Sequence, residues 1–360
     1  MARCFGSRSA NKASRPWGAP TDRLFRPFLA PMARGFRLEP NPQRRSESGA
    51  TARSSAQASH RNATAGYPIA MNYRHAFHAG NHADVFKHVA LLALCDALTV
   101  KPAPLFALDT HAGRGLYALD SNSAQRTGEA EGGIGRLIAE PPKHPAIARY
   151  LAAVKACRAT HGAATYPGSP WLLAHALRDD DRIAACELLP EEAAQLKANF
   201  ARDPRVAVHE RDGYGAIKSL LPPKLMKAGI GAVKYARGLV LIDPPYEAQL
   251  EEFDTAIGAL REALTRWPHA TYALWYPIKL RRSLQPFYRR AETIPAQSSL
   301  VAEMLIRPDD SPLRMNGSGL LLLNPPWQFE QTLTQVLTLL TPTLGEAGAS
   351  WRVDWLKQER

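Results

Sequence analysis

What this sequence lacks narrows it first. It has no run of about 18 or more apolar residues, the length a helix needs to cross a bilayer. Its four cysteines, Cys4, Cys95, Cys157 and Cys186, are nowhere spaced as C-x-x-C. Neither a disulfide framework nor a zinc-thiolate site is expected, and the thiols are read as reduced, in a cytoplasmic protein. There is no Gly-x-x-x-x-Gly-Lys-Ser/Thr loop, which disfavours an NTPase. No internal repeat is visible.

Acidic residues are scarce only at the start. Residues 1–70 hold 12 Lys+Arg against 3 Asp+Glu, whereas residues 71–360 hold 33 against 30. The formal charge of +12 therefore belongs mostly to the first segment and is weak evidence about the rest. Residues 1–70 are rich in Arg, Ser, Ala and Pro and have little periodic apolar pattern. Such a segment cannot bury enough apolar surface to offset its ordering entropy and is read as a disordered basic extension. No apolar core of a secretory signal follows its arginines. Met71 opens a dense, patterned segment and is read as the true start, making residues 71–360 the folded domain.

From there the pattern is α/β. Apolar residues at helical spacing predict a helix over 81–99, with Asn81 as its cap. A buried strand follows at 104–109. Residues 117–165 are Ala-rich and read as helical with no strand, and a helix is predicted over 170–178. Strands are predicted at 182–188, 206–210, 238–243, 270–276, 301–307 and 319–324, with helices between most of them. Alternation of this kind implies a mostly parallel sheet covered on both faces. The last two strands are joined by a short loop and should pair antiparallel, as a hairpin.

In open α/β sheets ligands bind beyond the carboxyl ends of the strands. The first strand ends Asp109-Thr-His111-Ala-Gly113-Arg-Gly115, a turn that lets backbone approach a ligand. The second ends at Glu187, placed to accept bonds from ribose hydroxyls. The third ends at Glu210, followed by Asp212 and Gly213, and an acid there can accept from an adenine amino group. Each acid alone is more often a solvated strand end; their recurrence suggests a nucleoside-shaped cofactor.

The sharpest signal is Asp243-Pro244-Pro245-Tyr246 after the buried run Leu239 to Ile242. The lone pair of an adenine amine is delocalised into the ring, so the nitrogen is a poor nucleophile. Accepting both of its N–H groups pushes it toward a tetrahedral shape and localises the pair. Asp243 offers a carboxylate oxygen and Pro244 a backbone carbonyl. The prolines fix the backbone and remove competing donors. Tyr246 offers a face for stacking, worth roughly 1–3 kcal/mol for a base on an aromatic. The reading requires that face to be turned to an open pocket. Preorganised acceptors act by electrostatics and positioning, and Asp243 can also receive the released proton. A plain Pro-Pro turn is the bland alternative. A near-duplicate, Asn324-Pro-Pro-Trp327, is a second candidate, although it also reads as a helix start. The first copy is favoured because it follows the acid-bearing strands in order.

His75, His78, His82 and His88 crowd the start of the domain with Asp84. A metal site is conceivable there but lacks a full ligand set, so no metal is expected. Tyr73, Arg74, His75, Lys87 and His88 are read as a polar lobe over the pocket.

Tyr73-Arg-His75-Ala-Phe-His78-Ala-Gly-Asn-His82-Ala-Asp84-Val-Phe-Lys87-His88 resembles the start of the bacterial RlmJ-type adenine N6-methyltransferases of large-subunit (23S) ribosomal RNA. So do Leu108-Asp-Thr-His-Ala-Gly113, Tyr166-Pro-Gly-Ser-Pro170, Asp243-Pro-Pro-Tyr246, Ala273-Leu-Trp-Tyr-Pro277 and Asn324-Pro-Pro-Trp327. The resemblance covers about residues 71–358. It implies a class I Rossmann-like S-adenosylmethionine-dependent methyltransferase with a small helical insertion at about 117–167. It implies S-adenosylmethionine contacts from His88, His111, Ser169, Glu187, Asp212 and Gly213, and catalysis by Asp243. It brings Tyr73, His75 and Lys87 to the RNA, met before ribosome assembly is complete. Arg114, between the loop glycines, departs from the small residue relatives can carry. The alternatives are a DNA adenine methyltransferase acting on a flipped base, disfavoured by the lack of a target-recognition domain, and a non-catalytic RNA-binding protein on the same fold, disfavoured by the intact Asp243 motif.

Overall fold

The computed structural model describes residues 74–227, 231–246, 249–312 and 315–358. The expectations for residues 1–70, Met71 and Tyr73 lie outside the described residues. Among the described residues there are twelve strands: β1 Leu105–Asp109, β2 Leu116–Ala118, β3 Thr165–Pro167, β4 Arg182–Glu187, β5 Val206–Glu210, β6 Lys224–Lys227, β7 Gly231–Lys234, β8 Arg237–Ile242, β9 Thr271–Ile278, β10 Ser299–Leu305, β11 Gly317–Leu323 and β12 Ser350–Lys357. The helices are α1 His82–Thr99, α2 Asn122–Thr127, α3 Arg136–Ala139, α4 Pro145–His161, α5 Ser169–Ala176, α6 Pro190–Phe200, α7 Gly213–Leu220, α8 Gln249–Arg266, α9 Gln285–Glu292 and α10 Phe329–Leu344.

Eight strands form one sheet in the order β12-β10-β11-β9-β8-β1-β4-β5. β9, β8, β1, β4 and β5 pair in parallel. β11 pairs antiparallel with β9 and with β10, so the expected terminal hairpin is present. The chain steps from β1 to β4 and β5 on one side, then returns to β8 on the other. This reversal opens a crevice at the carboxyl ends of β1 and β8, where ligands of such sheets bind. It is the Rossmann-like arrangement expected.

Alternation along the strands divides the core. Leu105 and Ala107 of β1, with Leu239 and Leu241 of β8, pack into the layer formed with α1, α4, α5 and α10. Leu108, Val240 and Ile242 face the opposite layer, with α7, α8 and α9. Asn81 caps α1 as expected, accepting from Ala83 N and Asp84 N at 3.0 Å each.

The expected elements need correction in three places. The stretch read as strand-free is bracketed by the hairpin β2–β3, in which Tyr117 faces Tyr166. Three-residue strands are too short to show a period of two. β12, on the outer edge against β10, was not expected either, although Trp351, Val353 and Trp355 alternate as a half-buried strand does and pack against the core. The small hairpin β6–β7 also escaped the pattern.

Candidate active site

A cavity of about 450 Å³ opens at the carboxyl ends of β1, β4, β5 and β8. His75, Lys87, His88, His111, Gly113, Ser169, Glu187, Asp212, Gly213, Asp243 and Pro244 all line it. These residues span most of the chain, and the sheet brings them to one place.

The wall from β1 and β4 is held by side chain to backbone bonds. Gly113, at φ +59°, donates its N–H to Glu187 Oε2 at 2.9 Å. Leu189 N–H donates to Glu187 Oε1 at 2.7 Å. Burial pushes the Glu187 carboxyl above its ordinary value, against these bonds. Each oxygen keeps a second lone pair for a ligand. Arg114, the departure noted in the loop, pairs with Glu192. At the end of β5, Asp212 caps α7 by accepting from Tyr214 N at 3.3 Å and Gly215 N at 2.6 Å.

Buried polar groups adjoin the lining residues Ser169 and His88. Asp109 is fully buried and accepts from Ser169 Oγ at 2.7 Å, while its Oδ1 has no partner. Burial pushes its carboxyl up to about 7. His88 is also buried; its Nδ1 lies 2.9 Å from the Tyr166 hydroxyl, which meets Tyr150 at the same distance. Burial pulls the His88 imidazole down to about 3, so it is neutral. Burial likewise pulls His111, which contacts Thr110 Oγ1, down to about 4.

Lys87, expected at the RNA, lies in the cavity wall against Asp243. Its Nζ is 2.5 Å from Asp243 Oδ2 and 2.9 Å from Asp84 Oδ1. Burial pulls the ammonium down, but the two carboxylates outweigh it and hold it well above the usual lysine value. His75 lines the cavity and meets Asp84 Oδ2 at 3.0 Å.

Tyr246 is the main correction. Its ring does not line the cavity. It is 5% exposed, packs against Phe253 and Trp275, and donates its hydroxyl to the Trp275 carbonyl at 2.9 Å. Its backbone takes φ +50°, and those two aromatics provide the apolar seat that draws the ring inward. No stacking face is presented in this conformation. Of the two conditions set by the sequence, the open pocket is met and the outward tyrosine is not.

The second Pro-Pro motif sits at the other edge of the sheet. Leu323 is opposite Tyr272, at the start of β9, whereas Ile242 of β8 is opposite Leu274. Asn324 spends its side chain on Gln297 N and on the carbonyls of Pro268 and Ala270. Helix α10 starts at Phe329, a few residues beyond the prolines.

The clustered histidines are dispersed: His78 pairs with Glu129 and His88 with Tyr166. Among the described residues no three His, Cys, Asp or Glu side chains are grouped to hold a metal. Nor is any described helix long and apolar enough to cross a membrane.

Comparison with known proteins decides the family. The model described as ribosomal RNA large subunit methyltransferase D, RlmJ, matches residues 102–357. This chain belongs to that family. Ribosomal RNA large subunit methyltransferase J of Haemophilus influenzae is 39% identical over 293 residues, 80% of this chain and 100% of its own length. Its Escherichia coli namesake is 36% identical over 290 residues, again 80% of this chain and 100% of its own. A crystal structure of a Legionella pneumophila protein is 31% identical, covers 77% of this chain and 98% of its own, and superposes with a TM-score of 0.67. This RlmJ-family chain is thus a methyltransferase of Rossmann-like fold, and its Asp243 motif lies in the cavity rather than at the opposite edge.

Proposed function

We propose that this chain transfers the methyl group of S-adenosylmethionine to the exocyclic N6 amine of an adenine in large-subunit (23S) ribosomal RNA, in the cytoplasm. The reading is carried by one observation: Asp243 and Pro244 share a cavity with the strand-end acids Glu187 and Asp212, in a chain of a ribosomal RNA methyltransferase family. It no longer leans on stacking by Tyr246 in this conformation.

The residues present fit a nucleoside-bearing sulfonium. Glu187 keeps lone pairs for ribose hydroxyls. His88, His111, Ser169, Glu187, Asp212 and Gly213 would hold the cofactor. When bound, S-adenosylmethionine supplies an already activated methyl group.

The chain's own residues do the rest. Lys87 occupies Asp243 Oδ2, which leaves Oδ1 to accept one amine N–H. The Pro244 carbonyl accepts the other. The nitrogen lone pair would then be freed to face the donor's methyl group, and Asp243 or water would take the nitrogen's proton. His75, which lines the cavity, would contact the RNA around the target base, and Tyr73 would contact the RNA as well.

The test is methyl transfer from labelled S-adenosylmethionine to naked large-subunit RNA, assembled subunits and duplex DNA in parallel. Label in RNA, richest on the unassembled substrate, is the expected result. Label confined to DNA, or RNA binding without transfer, contradicts the reading.

A further inference from the structure

Helix α1 carries a buried carboxylate that the chemistry above does not use. Asp84 sits in its first turn, 2% exposed. It meets three donors: His75 Nε2 at 3.0 Å and Gly80 N at 2.9 Å on Oδ2, and Lys87 Nζ at 2.9 Å on Oδ1. Lys87 in turn reaches Asp243 Oδ2. Four ionisable groups thus run in one line from His75 on the rim, through Asp84 and Lys87, to Asp243. A neutral residue at position 84 would still fold into a capped helix turn, because Asn81 makes the cap. A charge at that position therefore calls for another reason.

We propose that Asp84 is a positioning residue: it anchors the Lys87 ammonium so that Lys87 holds Asp243 by one oxygen and leaves the other turned to the substrate amine. The idea rests on Asp243 being the acceptor under the proposed function. A flexible four-carbon amine pulled by a single carboxylate has no fixed direction. Between two buried carboxylates it has one, and Asp243 takes its orientation from it. Lys87 also lies 5.8 Å from the Trp275 ring centroid, which limits its sideways swing. Because Asp84 also holds His75, the same carboxylate ties the rim to the acceptor. Misplacement of a reacting group by about 1 Å can cost roughly 100-fold in rate.

The experiment is a double-mutant cycle on kcat with Asp84→Asn and Lys87→Met, with RNA KM, cofactor affinity and thermal transition read alongside. Asp84→Asn should lower kcat about 100-fold while KM and cofactor affinity stay within about twofold. Adding it to Lys87→Met should cost nothing further, since Asp84 acts through Lys87. An unchanged kcat, a multiplicative loss in the double variant, or a raised KM together with weakened cofactor affinity and lowered thermal stability each overturns the proposal; the last marks a purely structural acid. If Asp84→Asn fails to fold, Asp84→Glu, which keeps the charge but moves it, runs the same cycle with the same criteria. Failure of the underlying reading shows separately, as full activity in Asp243→Ala.

Discussion

The ammonium of Lys87, on α1, lies 2.5 Å from the carboxylate of Asp243 at the end of β8, and the two residues are 156 positions apart in the chain. Both are largely buried, and Asp84 closes the cluster from the other side. Removing one member of such a cluster leaves an uncompensated buried charge. Lys87→Met is therefore expected to destabilise the fold by about 3–5 kcal/mol, the usual result of breaking a buried pair. Chemical denaturation measures this. A change within about 1 kcal/mol would mean that the two acids find solvent or protons easily.

Asp109 makes a prediction about pH. Its folded value is about 7 against an ordinary 3.8. Between those values the unfolded chain is ionised and the folded chain is not, so this group's contribution to stability falls as pH rises through the window and is flat above it. Asp109→Asn lacks that fall. Relative to the native protein the variant should gain up to roughly 1.4 kcal/mol per pH unit between about 4 and 7. Urea denaturation at pH 5 and pH 7.5 reads the difference. Parallel curves for the two proteins would contradict the raised carboxyl.

Tyr246 separates two conformations. In the observed one, its hydroxyl is bound to the Trp275 carbonyl and its ring fills the core. Tyr246→Phe keeps the ring and should cost about 1 kcal/mol of stability with kcat little changed. Tyr246→Ala should cost about 3–5 kcal/mol, as aromatic truncation in a core does. If instead Tyr246→Ala leaves stability intact and raises RNA KM, the ring spends its time against the base.

Much of this was readable from the sequence, for physical reasons. Asn81 begins α1 because a capping side chain is a local device, and the strand before Asp243 is a buried run bounded by prolines. The strand-end acids could be placed because a parallel sheet puts its carboxyl ends on one edge. What the sequence hid depends on contacts between distant segments. Nothing near Lys87 announces Asp243. The seat for the Tyr246 ring is built by Phe253 and Trp275, on other elements. The role of Ser169 as donor to Asp109 needs a span of 60 residues to fold back. Asp84 carried a signal, a carboxylate three residues before Lys87 on a helix, but i,i+3 pairs are common on solvated faces. Only burial sets this one apart.

The basic segment ahead of Met71 is expected to be dispensable for catalysis. Protein lacking residues 1–70 should methylate RNA with a kcat within about twofold of the full chain, a change of under about 0.5 kcal/mol in barrier. Initial rates over a range of RNA concentrations measure it. A large rise in KM would mean that the segment's arginines hold RNA.

The most direct test of the account is the identity of the methylated nucleoside. Large-subunit RNA treated with the native protein and S-adenosylmethionine is digested and its nucleosides are resolved by mass spectrometry, beside the same reaction with Asp243→Ala. The account predicts N6-methyladenosine with the native protein and its loss with the variant. A methyl group on another base or on ribose, or N6-methyladenosine formed equally well without the Asp243 carboxylate, contradicts it.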